Sequence, residues 1–276
     1  MKTKLLFFAT LLAFTSCSNN DDEVSTEISQ PVSQAPNKIS CTFPLMAQSS
    51  PGKDPNYYFE YDGQGKVIKK IGGIMTFPSS TGGGSVFSNS IYTTVSYNGN
   101  TAIIGTYSSD FNVKLNKRSF EFDSQGRVVK SVIDSPYPEW EKHLTYTYDN
   151  AGKLVEISTQ LPNMPYVPTD PNDYILTYID RFTYDTSGNL QKVVATERRN
   201  NVDFLVLQET EFSNFDTAQN PFKRLALFDE YFYLSLSKNN PQKKITRYSQ
   251  PGGGFSYNTQ EWTNQYEPNG NLKLFY

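Results

Sequence analysis

The residues able to do chemistry in this 276-residue chain are few: one histidine, His143, and two cysteines, Cys17 and Cys41. A lone imidazole supplies neither the three or four ligands of a zinc site nor, with Cys41 far off in a stretch flanked by Ile39 and Phe43, a thiol beside a base. No metal, cofactor or catalytic residue is therefore expected. Glu139 and Glu141 flank Trp140; paired acids serve glycoside hydrolysis only when a cleft sets them across a sugar. A carboxylate-based hydrolase is accordingly the weakest reading. Trp140, Tyr231, Tyr233 and Trp262 carry broad rings with polar tips and form the candidate ligand contacts, suited to sugar rings or to a protein surface.

The elements that position these groups begin with an address. Lys2 and Lys4 precede an unbroken run of apolar or small residues, Leu5 to Phe14, and Thr15-Ser16 lead into Cys17. These are the three parts of a secretory signal. The run is roughly half of the ~20 residues a spanning helix needs. Ser16-Cys17 resembles the lipobox of bacterial lipoproteins, with Phe14 where that family usually has an aliphatic residue. The resemblance implies cleavage after residue 16 and acylation of Cys17, palmitate among its acyl chains, and so a membrane partner reached through the lipid. The acidic cluster Asp21-Asp22-Glu23 is similar to the export signal of Bacteroidota lipoproteins carried to the outer face of the outer membrane, which implies surface display.

From Ser18 to about Asn37 the chain is Ser, Asn, Asp, Glu, Gln and Pro with scattered small apolar residues and no aromatic ring. Such a segment buries too little apolar surface to offset its ordering entropy. Three parts are thus expected: a signal peptide over 1–16, a lipidated flexible tether over 17–37 and one folded domain over 38–276.

The chain has 25 Lys and Arg against 28 Asp and Glu, and losing Lys2 and Lys4 with the leader leaves a formal charge of −5. That balance offers no electrostatic footprint for nucleic acid. With Cys17 as a thioether, Cys41 has no intramolecular disulfide partner. Aromatics make up 14% of the chain, and 17 Gly and 16 Pro accompany them without long runs of helix formers. This is a strand-and-turn composition.

One short pattern recurs. Tyr58-Phe59-Glu60-Tyr61-Asp62-Gly63-Gln64-Gly65-Lys66-Val67 is followed by Ser119-Phe120-Glu121-Phe122-Asp123-Ser124-Gln125-Gly126-Arg127-Val128. Thr145 to Leu154 and Phe182 to Leu190 repeat it, and weaker copies lie at Val95–Asn100, Phe212–Asp216 and Tyr266–Leu272. Aromatic and polar residues alternate, so the rings share one face of a strand. Asp then opens a turn, its carboxylate accepting backbone N–H groups, and the Gly three residues on takes the positive φ of a type I turn with a bulge. Asp62, Asp123, Asp149 and Asp185 are thereby assigned to turns rather than to catalysis. The motif resembles the YD repeat of Rhs-type shell proteins, and the chain as a whole is similar to small YD-repeat lipoproteins of Bacteroidota. That resemblance implies a sheet, not an activity.

The expected fold is all-β, an antiparallel meander of about twelve to sixteen strands in a strongly curved sheet or incomplete barrel. Gly72 to Ser90 reads as a loop. Pro162, Pro165, Pro168 and Pro171 have the period of a polyproline II helix and read as a stiff surface crossover. Three functions fit such a chain: a non-enzymatic envelope lipoprotein binding a glycan or protein, an envelope-structural or lipid-carrier protein, and, least, the hydrolase.

Overall fold

The computed structural model describes residues 35–45, 55–79, 82–110, 113, 116–250 and 252–275. The expected signal peptide, Cys17 and most of the expected tether lie outside them. Fourteen strands form one sheet in sequence order, each antiparallel to the next. They are β1 (Lys38–Ser40), β2 (Asn56–Tyr61), β3 (Val67–Ser79), β4 (Gly82–Asn98), β5 (Thr101–Ser108), β6 (Arg118–Phe122) and β7 (Val128–Ile133). Then follow β8 (Lys142–Tyr148), β9 (Leu154–Gln160), β10 (Leu176–Tyr184), β11 (Leu190–Arg199), β12 (Val202–Ser213), β13 (Lys243–Ser249) and β14 (Phe255–Glu261). β1 and β14 do not pair, so the sheet is an unclosed meander.

The recurrent turn has one geometry. In all four strong copies the Asp N–H donates to the carbonyl four residues on, and the Gly N–H donates back to the Asp carbonyl, at 2.9–3.1 Å. The carboxylate of Asp149 accepts from Ala151 N at 2.9 Å and Lys153 N at 2.8 Å, and Asp62, Asp123 and Asp185 repeat this pair of bonds. Gly65, Gly126, Gly152 and Gly188 have φ between 76° and 89°, where a Cβ would be strained. A one-residue slip precedes each turn, at Tyr61, Phe122, Tyr148 and Tyr184. Asp149→Ala should therefore cost about 1–2 kcal/mol, by orphaning two N–H groups, measured as a lowered denaturant midpoint at unchanged slope.

The weak copy at Phe212–Asp216 departs from this pattern instructively. Asp216 N donates to Asn240 O at 3.0 Å, and the Asp216 carboxylate accepts from Ala218 N and Asn240 N. Asn240 thus plays the part that Asn189 plays beside Asp185, with an excursion spliced into the turn. Composition did not announce the helical structure found there: a 3₁₀ turn, Pro221–Leu225, and a short helix α1, Asp229–Ser235. Local signals were nonetheless present. Asn220 caps Phe222 N at 2.8 Å with Pro221 at the first position, and Asp229 and Glu230 stand in the first turn of α1.

That excursion sets the shape of the sheet. Tyr231 lies 5.8 Å from the Phe59 ring on β2, while Tyr233 lies 6.2 Å from Phe182 on β10 and 6.1 Å from Phe212 on β12. In a flat sheet β2 and β12 stand ten spacings apart, about 48 Å. A seven-residue helix is only about 10 Å long. Both contacts require the sheet to curl round α1. The core accordingly has two parts: Phe222, Leu225, Phe228 and Tyr231 pack on Ile39, Phe59, Val67 and Phe120, while Phe232, Tyr233 and Leu236 pack on Leu154, Phe182, Leu190 and Phe212.

Two sequence readings are corrected. Gly72 to Ser90 is no loop: β3 and β4 run through it as a long hairpin, bulged at Ile71/Gly73. A Cβ on Gly72 would stand 2.5 Å from Phe87 Cζ, so the glycine on β3 leaves room for that buried ring from β4. The proline stretch is no crossover but a loop joining the paired neighbours β9 and β10, and turns at Leu161–Met164, Val167–Asp170 and Asp170–Asp173 break the polyproline period.

Candidate binding surface

The sequence-predicted contact residues are scattered by the fold. Tyr231 is 4% exposed, stacked on Phe222 at 5.6 Å, and offers no face to a ligand. Tyr233 is half-buried among Phe182, Phe212 and Phe232. Both rings were placed by the helix period, which the strand-and-turn reading of this stretch did not contain. Trp140 is half exposed in a 3₁₀ turn, Pro138–Trp140, between β7 and β8. Beside it, His143 Nε2 and Glu141 Oε1 are 2.8 Å apart. Cys17 lies outside the described residues. Among those residues no three His, Cys, Asp or Glu side chains converge on a metal position.

Where α1 meets the sheet, between the two apolar clusters, runs a polar seam that sequence reasoning missed. Arg118 on β6 grips Asp229 with two bonds, Nη1 to Oδ1 at 2.5 Å and Nη2 to Oδ2 at 2.7 Å. Burial pushes the Asp229 carboxyl up, but Arg118 and Lys70 outweigh it and its pKa falls below the usual range. Lys70 on β3, itself buried, donates to Glu230 and lies over the rings of Tyr57 and Phe228. Tyr146 on β8 shares a 3.2 Å contact with Ser131 Oγ, and burial raises its pKa. Asp180, on the inward row of β10 opposite Ile157, has no bonded partner among the described residues. Burial alone raises its carboxyl to about 6. The acids of the seam are thus either committed to cations or turned in against the helix, and the loop acids Glu139 and Glu141 lie elsewhere.

On the outside, Trp262 lines a shallow polar depression of about 370 Å³ with Asn214, Gln242, Glu261 and Thr263. It sits where the spliced turn, the start of β13 and the end of β14 meet. Asn214 adopts φ 57°, the left-handed region Asn tolerates. The Gln242 side chain is held at both ends, donating to Asn214 O at 3.3 Å and accepting from Asn264 N at 3.0 Å. Trp262 Nε1 donates to Asn264 Oδ1 at 3.2 Å, and Glu261 pairs with Lys243. Among the described residues, no bond engages the Asn214 amide or the Thr263 hydroxyl. An indole beside an uncommitted amide and hydroxyl is a surface that can hold a flat, polyhydroxylated ring.

No protein-family model and no curated protein matches the chain. Among solved structures it is similar to a porin-like protein from Bacteroides uniformis, at 11% identity over 79% of this chain and 80% of that one, with TM-score 0.47. A porin-like protein from Bacteroides vulgatus aligns over 79% of this chain and 86% of that one at 16% identity, again with TM-score 0.47. TcdB2-TccC3 aligns over 75% of this chain and 13% of its own, at 16% identity and TM-score 0.28.

Proposed function

We propose that the chain is a non-enzymatic lipoprotein of the cell envelope, held in the outer membrane through Cys17, displayed at the surface, and using its β scaffold to bind a glycan. The Trp262 depression carries this reading, because it joins an aromatic ring to polar groups that no described residue engages. The YD-like repeat supports it as scaffold: each repeated Asp is consumed by its own turn. A lipid-carrier role draws less support, since an acyl chain needs an apolar cavity and the inner face of this sheet is occupied by α1 and its 3₁₀ turn.

The test is glycan binding by intact cells carrying the chain, its Trp262→Ala variant or its Cys17→Ser variant, screened over a panel of fluorescent polysaccharides. Wild-type cells should retain at least one glycan. Trp262→Ala should weaken retention about tenfold, the scale of one stacked ring. Cys17→Ser should remove it by releasing the protein from the cell. Absence of retention across the panel, or full retention by Trp262→Ala, sinks the reading.

A further inference from the structure

The two outer strands of the sheet are treated unequally. On β1, Asn37 and Cys41 bond towards β2, so alternation turns Lys38 and Ser40 outward. That edge is covered: Ser40 N donates to Leu274 O at 2.8 Å, Lys38 Nζ lies 4.7 Å from the Phe275 ring centre, and Leu272 and Leu274 are buried beside Ile39. The chain after β14 therefore returns to cover the first strand.

Among the described residues β14 has no such cover. Trp262 N donates to Gln242 O and Gln250 N to Gly254 O, both in register with the unbroken β13–β14 ladder. Even-numbered residues of β14 thus bond inward to β13, and the N–H and C=O groups of Phe255, Tyr257, Thr259 and Glu261 point away from it. Among the described residues nothing pairs with them. Six of the strand's seven residues are exposed, with Phe255 at 49% and Tyr257 at 65%. The devices that usually blunt an edge are missing: Phe255 to Gln260 contains no Lys, Arg or Pro, and the ladder has no bulge.

We propose that the β14 edge is an interaction surface for a second copy of this chain, the two β14 strands pairing antiparallel about a two-fold axis at Asn258. In that register every outward-pointing backbone group meets its counterpart. Phe255 stands opposite Glu261, Ser256 opposite Gln260, Tyr257 opposite Thr259, and Asn258 opposite its own copy. The one charged residue of the strand never faces a like charge, which antiparallel pairing penalises. The self-matching register selects a second copy as the occupant, and the covered β1 edge limits the assembly. Head-to-tail addition of β14 to β1 of another copy would need the N–H that Ser40 already gives to Leu274, so pairing closes as a dimer instead of running on as a fibre. A seven-residue contact is about 24 Å long, a small interface of the weakly associating class.

Sedimentation of the full chain in detergent, across the micromolar range, tests this. A concentration-dependent dimer is expected. Thr259→Pro removes an N–H that points outward, so every bond to β13 survives, yet association should weaken about tenfold or more. Asn258→Lys keeps the whole backbone ladder and sets two lysines opposite each other at the axis, with the same expected loss. A chain that stays monomeric throughout, or a dimer indifferent to both substitutions, overturns the proposal.

Discussion

Phe222→Ala should be the most damaging substitution in the folded domain, costing about 3–5 kcal/mol, the range for emptying a buried aromatic site. Phe222 is 1% exposed, stacks on Tyr231 at 5.6 Å and meets Phe43 at 5.3 Å. The cost should exceed that of a comparable truncation within the sheet, because this ring belongs to the element the sheet curls around. The Asn220 side chain donates to Leu234 O at 2.6 Å and to Ser237 O at 2.7 Å, tying the 3₁₀ turn to the far end of α1. Loosening Phe222 therefore loosens α1, and α1 touches β2, β3, β6, β10 and β12. Urea denaturation followed by near-ultraviolet circular dichroism and by hydrogen exchange supplies the check. Protection should fall together in β2 and in β10, which lie in different core clusters. A loss confined to residues 214–242 would mean that the sheet holds its curvature without the helix.

The second large effect has the opposite sign. Asp180→Asn should stabilise the protein by about 2–3 kcal/mol at neutral pH, and the gain should disappear in acid. The carboxyl faces inward near Tyr146 and Tyr233 with no cation bonded to it, and burial raises its pKa to about 6, against about 3.9 in the unfolded chain. Raising an acid above its unfolded value means that the fold prefers the protonated form. The penalty is thus absent below about pH 4, grows as pH climbs from 4 to 6, and is complete above 6. Asparagine keeps the shape and never ionises. Denaturant midpoints of both proteins at pH 4 and pH 7.5 separate this cause from packing: a difference equal at the two pH values would rule out ionisation. Asp229 behaves differently because Arg118 faces it, so its lowered pKa favours the fold above the unfolded value and that contribution fades as pH falls through acid.

The repeat was legible because its cause is local. An Asp carboxylate reaches two N–H groups within four residues, and a Gly at positive φ needs no distant neighbour, so the hairpins, their direction and the approximate number of strands follow from spacing alone. The sequence by itself also determined that each repeated acid closes its own turn. The helix at Asp229–Ser235 was hidden for a physical reason. Seven residues rich in aromatics have little intrinsic helical stability, and this segment is helical because strands remote in sequence offer it an apolar trough. The fate of Tyr231 and Tyr233 was hidden with it, since a period of 3.6 instead of 2 decides which rings face inward.

Tertiary structure alone also decided which ends of the sheet are free. Nothing in Leu272-Lys273-Leu274-Phe275 announces that it will cover β1, more than two hundred residues away in the chain, and nothing in Phe255 to Glu261 announces that no described residue will pair with its outer edge. Edge exposure is a property of what the rest of the chain happens to cover. Local patterning determined the strands of this protein, whereas long-range packing determined which surfaces remain for other molecules, because a turn is closed by its own residues and a face is closed only by a neighbour.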